Sequence, residues 1–307
     1  MPQNHEDNVL GQNHIPHGLR AKPSDHIPAR FSQEAIAMRI ALIQLSSARD
    51  IDKNLATCRR LAEGALEAGA RWLLFPENAP FMGHDAEKLT IAEDLDGSIV
   101  AAFREIARQG GCWVSLGSFP EASTTPGHTS NTQLLIDPAG NTAALYRKIH
   151  LFDVEVEGKQ IFRESDSVLP GSELTVAPIE LDAQPSRNVG LSVCYDLRFP
   201  ELYRALVKKG AHMLTVPSAF TLSTGRDHWH ALLQARAIEN QCFVLAPNQW
   251  GHHFDNRHSY GHSAVYDPWG RMIACASDRE SFVLAELDFD YLDEVRAKMP
   301  CLGHRRL

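Results

Sequence analysis

With 307 residues, of which 44% are hydrophobic and 22% charged, the chain has an ordinary globular composition and enough length for a substantial core. A net charge of -8 and the lack of any dense Lys/Arg block speak against a nucleic-acid surface and for a small-molecule partner. The six cysteines, Cys58, Cys112, Cys194, Cys242, Cys275 and Cys301, are widely spaced without a C-x-x-C pair; with no signal peptide or membrane-length apolar run, a cytoplasmic protein with free thiols and no membrane contact is expected.

Residues 1–36 hold no sustained period and are rich in Asn, His, Pro and Gly, which reads as a flexible N-terminal extension. From Met38 the text changes to MRIALIQL, an apolar run that starts a central strand, and residues 37–307 are expected to form a single domain. Ile51 to Gly69 carries Leu55, Cys58, Leu61, Ala62 and Leu66 near helical spacing, with Gly69 suited to the helix C-terminus. RWLLFPEN is the next strand and ends in Glu77; Ile99 to Gln109 reads as a helix, and CWVSLGSF as a further strand. LLIDPAGNTAALYRK predicts a hairpin with a Pro-Ala-Gly-Asn turn. After Lys148, HLFDVEVEGKQIFRESDSVLPG has no good period and predicts a long irregular loop, a kind of segment that is usually functional.

In the second half, IELD leads to an apolar run ending at Cys194, and PELYRALVKKGA makes a helix. HMLTVPSAF is a strand, His228 to Glu239 a helix, and CFVLAPNQ a strand. HSAVYDPWGRMIACAS repeats the hairpin chemistry of residues 137–140, which suggests an internally two-fold plan. Such β-α units with hairpins at corresponding places imply an α/β fold layered α-β-β-α; an open doubly wound sheet is the alternative. No glycine-rich nucleotide signature is present. The nearest approach to a metal motif is HHFDNRHSYGH, with His252, His253, His258 and His262; it lacks a second ligand pair, so no metal is expected.

The stretch NVGLSVCYDLRFPELYR is how a chain presents a nucleophile: a buried strand anchors the backbone, a turn lifts Cys194 above the sheet edge, and a helix N-terminus favours a thiolate. A small buried core thiol is the ordinary alternative. Glu77 after LLFP, Lys148 after ALYR and Cys194 after GLSV each stand where an apolar run stops. Strand ends converge at a sheet rim, where Glu77 could take the thiol proton, Cys194 attack a carbonyl carbon, and Lys148 with the Tyr195 N–H stabilise the oxyanion. Taken singly, Glu77 could start a turn and Lys148 could snorkel from a strand edge.

FPEN around Glu77, YRKIHLFD around Lys148 and VCYDLRFPELYR around Cys194, in that order, resemble the nitrilase (carbon–nitrogen hydrolase) superfamily over roughly residues 38–305. The resemblance implies a four-layer α-β-β-α sandwich, a Glu77–Lys148–Cys194 triad, no cofactor, and a homodimer or larger assembly through helices near residues 200–240 and the C-terminal tail. Many members carry a further glutamate on the loop after the lysine; Glu164 fits best, with Glu155 and Glu157 as competitors. PSAFTLSTGRDHWHALLQARAIENQ, NRHSYGHS and MPCLGHRR are most similar to the branch containing deaminated glutathione amidase, with ω-amidase as its neighbour, whereas Asn248 and Trp250 depart from the expected pocket residues. The expectation is therefore a cofactor-free thiol amidase acting on a small carboxylated amide. An ω-amidase, an N-carbamoyl amidohydrolase and an idle scaffold protein are the alternatives.

A carboxylate-bearing substrate asks for Arg or backbone N–H groups, and Arg198, Arg226 and Arg257 are candidates. Arg198 could equally pair with Asp196 or Glu201. Phe220, Thr221, His228 and Trp229 are expected to line the pocket, the last two from a helix N-terminus. A Cys-His-Asp arrangement through His228 or His150 is the rival mechanism.

Overall fold

The computed structural model describes residues 38–156, 160–181 and 184–306. The expected extension over residues 1–36 and the competitor Glu157 lie outside the described residues.

Two six-stranded sheets form the centre. The first runs in the order Ser281–Leu287, Met38–Gln44, Trp72–Leu74, Trp113–Ala122, Thr129–Ile136, Thr142–Arg147. The second runs Met272–Cys275, Ala264–Tyr266, Phe243–Ala246, Met213–Thr215, Gln184–Gly190, Val176–Leu181. In both, parallel strands occupy the middle and antiparallel strands flank them, as Ile40↔Trp72 and Met213↔Phe243 against Met38↔Leu287 and Val244↔Tyr266 show. The first sheet thus takes one edge strand from near the chain's C-terminus, which ties the two halves together.

The alternation of side chains along one strand explains the layering. Ile40 and Leu42 pack in a cluster with Val189, Leu214 and Val244 of the second sheet, while Ala41 and Ile43 pack with Leu61 and Phe103 of the helices Ile51–Glu67 and Ser98–Gly110. Leu206 of Pro200–Lys208 and Leu233 of Leu222–Asn240 cover the other outer face. The result is helix, sheet, sheet, helix, as expected, and not the open doubly wound alternative. Burying one such Leu or Ile contributes roughly 1.5–3 kcal/mol, so the sandwich interior is the main source of rigidity under the site.

Local signals behave as read. The Asp50 carboxylate accepts from the Lys53 N–H at 3.0 Å to start the first helix, and Gly69, at φ 88°, follows its end. The hairpin turns at Asp137 and Asp267 share one design: Gly140 and Gly270 donate back to the aspartate carbonyl at 2.9 Å, with φ 83° and 86°.

Three expectations need correction. The segment after Lys148 is not irregular throughout: Asp153–Val156 pairs antiparallel with Gln160–Arg163, and a 3-10 turn, Glu164–Asp166, follows. The alternation of Val154 and Val156 was the legible trace of that ribbon. Secondly, the strand before the cysteine ends at Gly190, and Cys194 opens a one-turn 3-10 helix, Cys194–Arg198, not the α-helix, which starts only at Pro200. Thirdly, the last long helix begins at Leu222, which puts His228 and Trp229 beyond its first turn.

Candidate active site

Glu77, Lys148, Glu164 and Cys194 come together in a cavity of about 510 Å³. Each sits just past a strand or turn, so the sandwich sets the backbone and the connecting segments aim the side chains. Lys148 follows Thr142–Arg147 directly and is held by its N–H to the Asn131 carbonyl at 2.9 Å and by the Gly171 N–H donating to its carbonyl at 2.8 Å. The Lys148 ammonium is 2% exposed and donates to Glu77 Oε1 at 3.0 Å and to Glu164 Oε2 at 2.8 Å. Glu77 Oε2 accepts from the Ala219 N–H at 2.9 Å, a direct tie between the two sheets' connecting segments.

Asn131 shares its amide nitrogen between Glu77 Oε1 and Glu164 Oε1, each at 3.0 Å. Sequence reasoning missed it. Its signal was polarity in the wrong place: Thr129, Ser130, Asn131, Thr132 and Gln133 are consecutive polar residues in a fully buried strand half. Glu164 also accepts from the Phe152 N–H at 2.7 Å, so it stands beside Lys148 in the cavity wall. Glu155 is solvent-exposed on the ribbon and lines only a shallower outer recess.

Cys194 has φ 49°, a left-handed conformation costing roughly 1–2 kcal/mol for a side-chain-bearing residue. Two groups hold it there. Its N–H donates to the Pro217 carbonyl at 2.9 Å, and the fully buried Asp196 closes the turn by accepting from the Val193 N–H at 2.8 Å. Asp196 also takes the Tyr146 hydroxyl at 2.7 Å, the His150 N–H at 3.1 Å and His150 Nδ1 at 2.7 Å. His150 is stacked on Phe199 at 3.7 Å and does not line the cavity, so its partner is the aspartate beneath the turn. The Tyr195 N–H donates to none of the described residues, and its ring packs edge-on against Phe152.

The charges set the resting state. Burial pulls the Lys148 ammonium down, but Glu164, Glu77 and Cys194 outweigh it and hold it well above the usual lysine range. Burial pushes Glu164 up, yet Lys148 prevails and keeps its carboxyl down at about 2. The Cys194 thiol is raised by burial and then by Glu77, against the pull of Lys148. Burial and Glu77 thus oppose ionisation of Cys194, which runs against the expectation of a thiolate favoured by a helix N-terminus.

Among the expected substrate contacts, Arg198, Phe220 and Thr221 line the cavity, as does the expected supporting residue Tyr195. Arg198 lies over the Tyr195 and Phe220 rings at 5.8 and 5.2 Å and contacts His228 Nδ1 at 3.3 Å, not Asp196 or Glu201. His228 lines only the outer recess, and exposed Arg226 lines neither. Trp229 is fully buried behind the wall, donating to the His262 carbonyl at 2.8 Å and packing against Phe220. Asn248 likewise supports from behind, accepting from the Phe220 N–H at 3.1 Å; neither it nor Trp250 lines the cavity. Arg257 does line it. The four loop histidines do not converge: His252 bonds the Asp255 carbonyl, His253 bridges Ser47 and Ser259, His258 bonds the Asn256 carbonyl, and His262 pairs with Asp278.

Residues 39–297 match the carbon–nitrogen hydrolase family. The chain is 41% identical over 292 residues to the deaminated glutathione amidase of Homo sapiens, covering 94% of this chain and 88% of that protein. The crystal structure of the C. elegans NitFhit protein aligns with TM-score 0.79 at 40% identity, covering 88% of this chain and 65% of that one. An amidase from Nesterenkonia sp. AN1, carrying acrylamide added to its active-site cysteine, aligns with TM-score 0.70 at 28% identity over 86% of this chain and 98% of that one. No helix among the described residues is long and apolar enough to cross a membrane.

Proposed function

We propose that this chain, which belongs to the carbon–nitrogen hydrolase family, is a thiol amidase acting on deaminated glutathione or a close carboxylated amide. The observation that carries the chemistry is the buried Glu77–Lys148–Cys194 grouping with Glu164 as the lysine's second partner. The substrate class rests on the similarity to amidases so named.

In this reading Glu77 accepts the Cys194 proton as Sγ bonds to the amide carbon, and the oxyanion is received by Lys148 Nζ and the Tyr195 N–H. Collapse breaks the C–N bond while Glu77 returns the proton to the departing amine. Water then enters; Glu77 takes one of its protons, hydroxide attacks the thioester, the C–S bond breaks, and Glu77 reprotonates sulfur as the acid leaves. The thiol ground state fits this scheme, because a cysteine that rests protonated needs a base within reach.

Mass spectrometry during turnover is expected to show an acyl adduct on Cys194; an active Cys194→Ala variant overturns the assignment. Side-by-side kcat/KM for deaminated glutathione, 2-oxoglutaramate and a ureido acid tests the substrate, and equal weak rates defeat it. A cytoplasmic location belongs to the same reading, supported by six free cysteines, as does a homodimer or larger assembly, which rests on the family resemblance and is testable by light scattering.

A further inference from the structure

We propose that Arg257 is the receptor for the carboxylate on the acyl side of the substrate. This rests on the amidase reading above and names what the site recognises. Arg257 opens the strand Arg257–Tyr260 and reaches into the cavity wall, with its guanidinium 4.7 Å from the centre of the Phe162 ring. Nη2 donates to the Ala219 carbonyl at 3.3 Å, on the residue whose N–H holds Glu77 Oε2. Arg257 is thus one residue away from the base.

Nη1 is sealed from water and has no hydrogen-bond partner. No carboxylate among the described residues forms an ion pair with Arg257, whereas Lys148 has two and Lys88 has Asp85. A buried guanidinium nitrogen left without an acceptor costs free energy that nothing in the protein repays. A substrate carboxylate that reaches Nη1 supplies the missing charge-assisted bond and offsets that cost. Arg198 is less suited, since it is half-exposed and already engaged with His228 and two aromatic faces.

The test compares deaminated glutathione with the same molecule esterified at its 2-oxo-acid carboxylate, in wild type, Arg257→Lys and Arg257→Met. The ratio of kcat/KM between acid and ester is expected to fall about 10²-fold in Arg257→Met, mainly through KM, with Arg257→Lys between. Independently of turnover, 2-oxoglutarate should protect Cys194 of the wild type from iodoacetamide and lose roughly 10²-fold in potency with Arg257→Met, at matched thermal unfolding. An unchanged ratio and unchanged protection in the variant overturn the assignment of Arg257. A wild type that hydrolyses acid and ester equally overturns the carboxylated-substrate reading instead.

A second, separate observation concerns His230, His262 and Cys275, three donors from different elements whose ligand atoms lie within 4.8 Å of one another. We infer that they bind a borderline-soft divalent cation such as Zn²⁺. Cys275 Sγ lies 3.9 Å from His262 Nδ1, a span that an ion about 2.3 Å from sulfur and about 2.0 Å from nitrogen bridges. The other nitrogen of His262 pairs with Asp278 at 3.2 Å, and His230 Nδ1 pairs with the Tyr266 hydroxyl at 2.9 Å, the outer partners that orient ligating imidazoles. Titration with Co²⁺ should give a thiolate charge-transfer band that Cys275→Ser abolishes and His230→Gln weakens. No band, or one untouched by Cys275→Ser, overturns the site.

Discussion

The two sheets bring unlike things to the cavity. From the first come the charges Glu77 and Lys148, joined to Glu164 by ion pairs and bridged by the neutral Asn131 amide, nearly all of them buried. From the second comes Cys194, the nucleophile of the proposed reaction, held by backbone bonds and by one aspartate under a left-handed turn. The first region is rigid because each charge has an opposite neighbour; the second because the backbone has nowhere else to go. The lesson is that the two sheets use different means to fix their side chains: opposite charges in one, backbone bonds and a single buried carboxyl group in the other.

Removing a charge from the first region should do the most damage. Lys148→Met leaves Glu77 and Glu164 buried side by side without a cation, for a loss of about 3–5 kcal/mol in stability and about 10²–10³-fold in kcat. Urea unfolding and steady-state kinetics read both. A variant of near wild-type stability would show that the ion pairs add little and break the contrast.

Next comes Glu164→Gln, where pH discriminates. The folded-state carboxyl lies near 2, below its ordinary value of 4.5, so its stabilisation is present above the ordinary value and lost as pH falls toward 2. The variant should be less stable than wild type near neutrality, by a few kcal/mol, with the gap closing as the pH approaches about 2. A gap that stays constant across the acid range assigns the effect to packing instead.

The same division decides what was legible. Glu77, Lys148 and Cys194 were visible because each ends an apolar run, and the layering followed from strands of period 2 alternating with helices of period 3.6. The Asp-Pro-x-Gly turns were visible because a left-handed glycine is a local requirement. Asn131 meets Glu77 from 54 residues away in sequence, and no local pattern encodes that meeting. Arg257 was one of three arginine candidates, and what sets it apart, its bond to the Ala219 carbonyl 38 residues away, is a tertiary fact. Trp229 and His228 do not line the main cavity for a related reason: the helix starts at Leu222, so its N-terminus presents Thr221 to the cavity and leaves His228 and Trp229 two turns further on.

The smallest expected effect tests the second region. Asp196→Asn keeps the shape of the residue that accepts from Val193, Tyr146 and His150, but replaces one acceptor oxygen with a donor. One buried bond is lost, about 1–3 kcal/mol of stability, without disturbing Lys148 or its glutamates. If the turn is what aims Cys194, kcat should fall about tenfold or more while KM stays near wild type, since a small misplacement of the attacking atom is costly to the chemical step. A matching rise in KM with kcat intact would mean that Asp196 shapes the substrate pocket, and that the cysteine is aimed by Pro217 and the sheet alone.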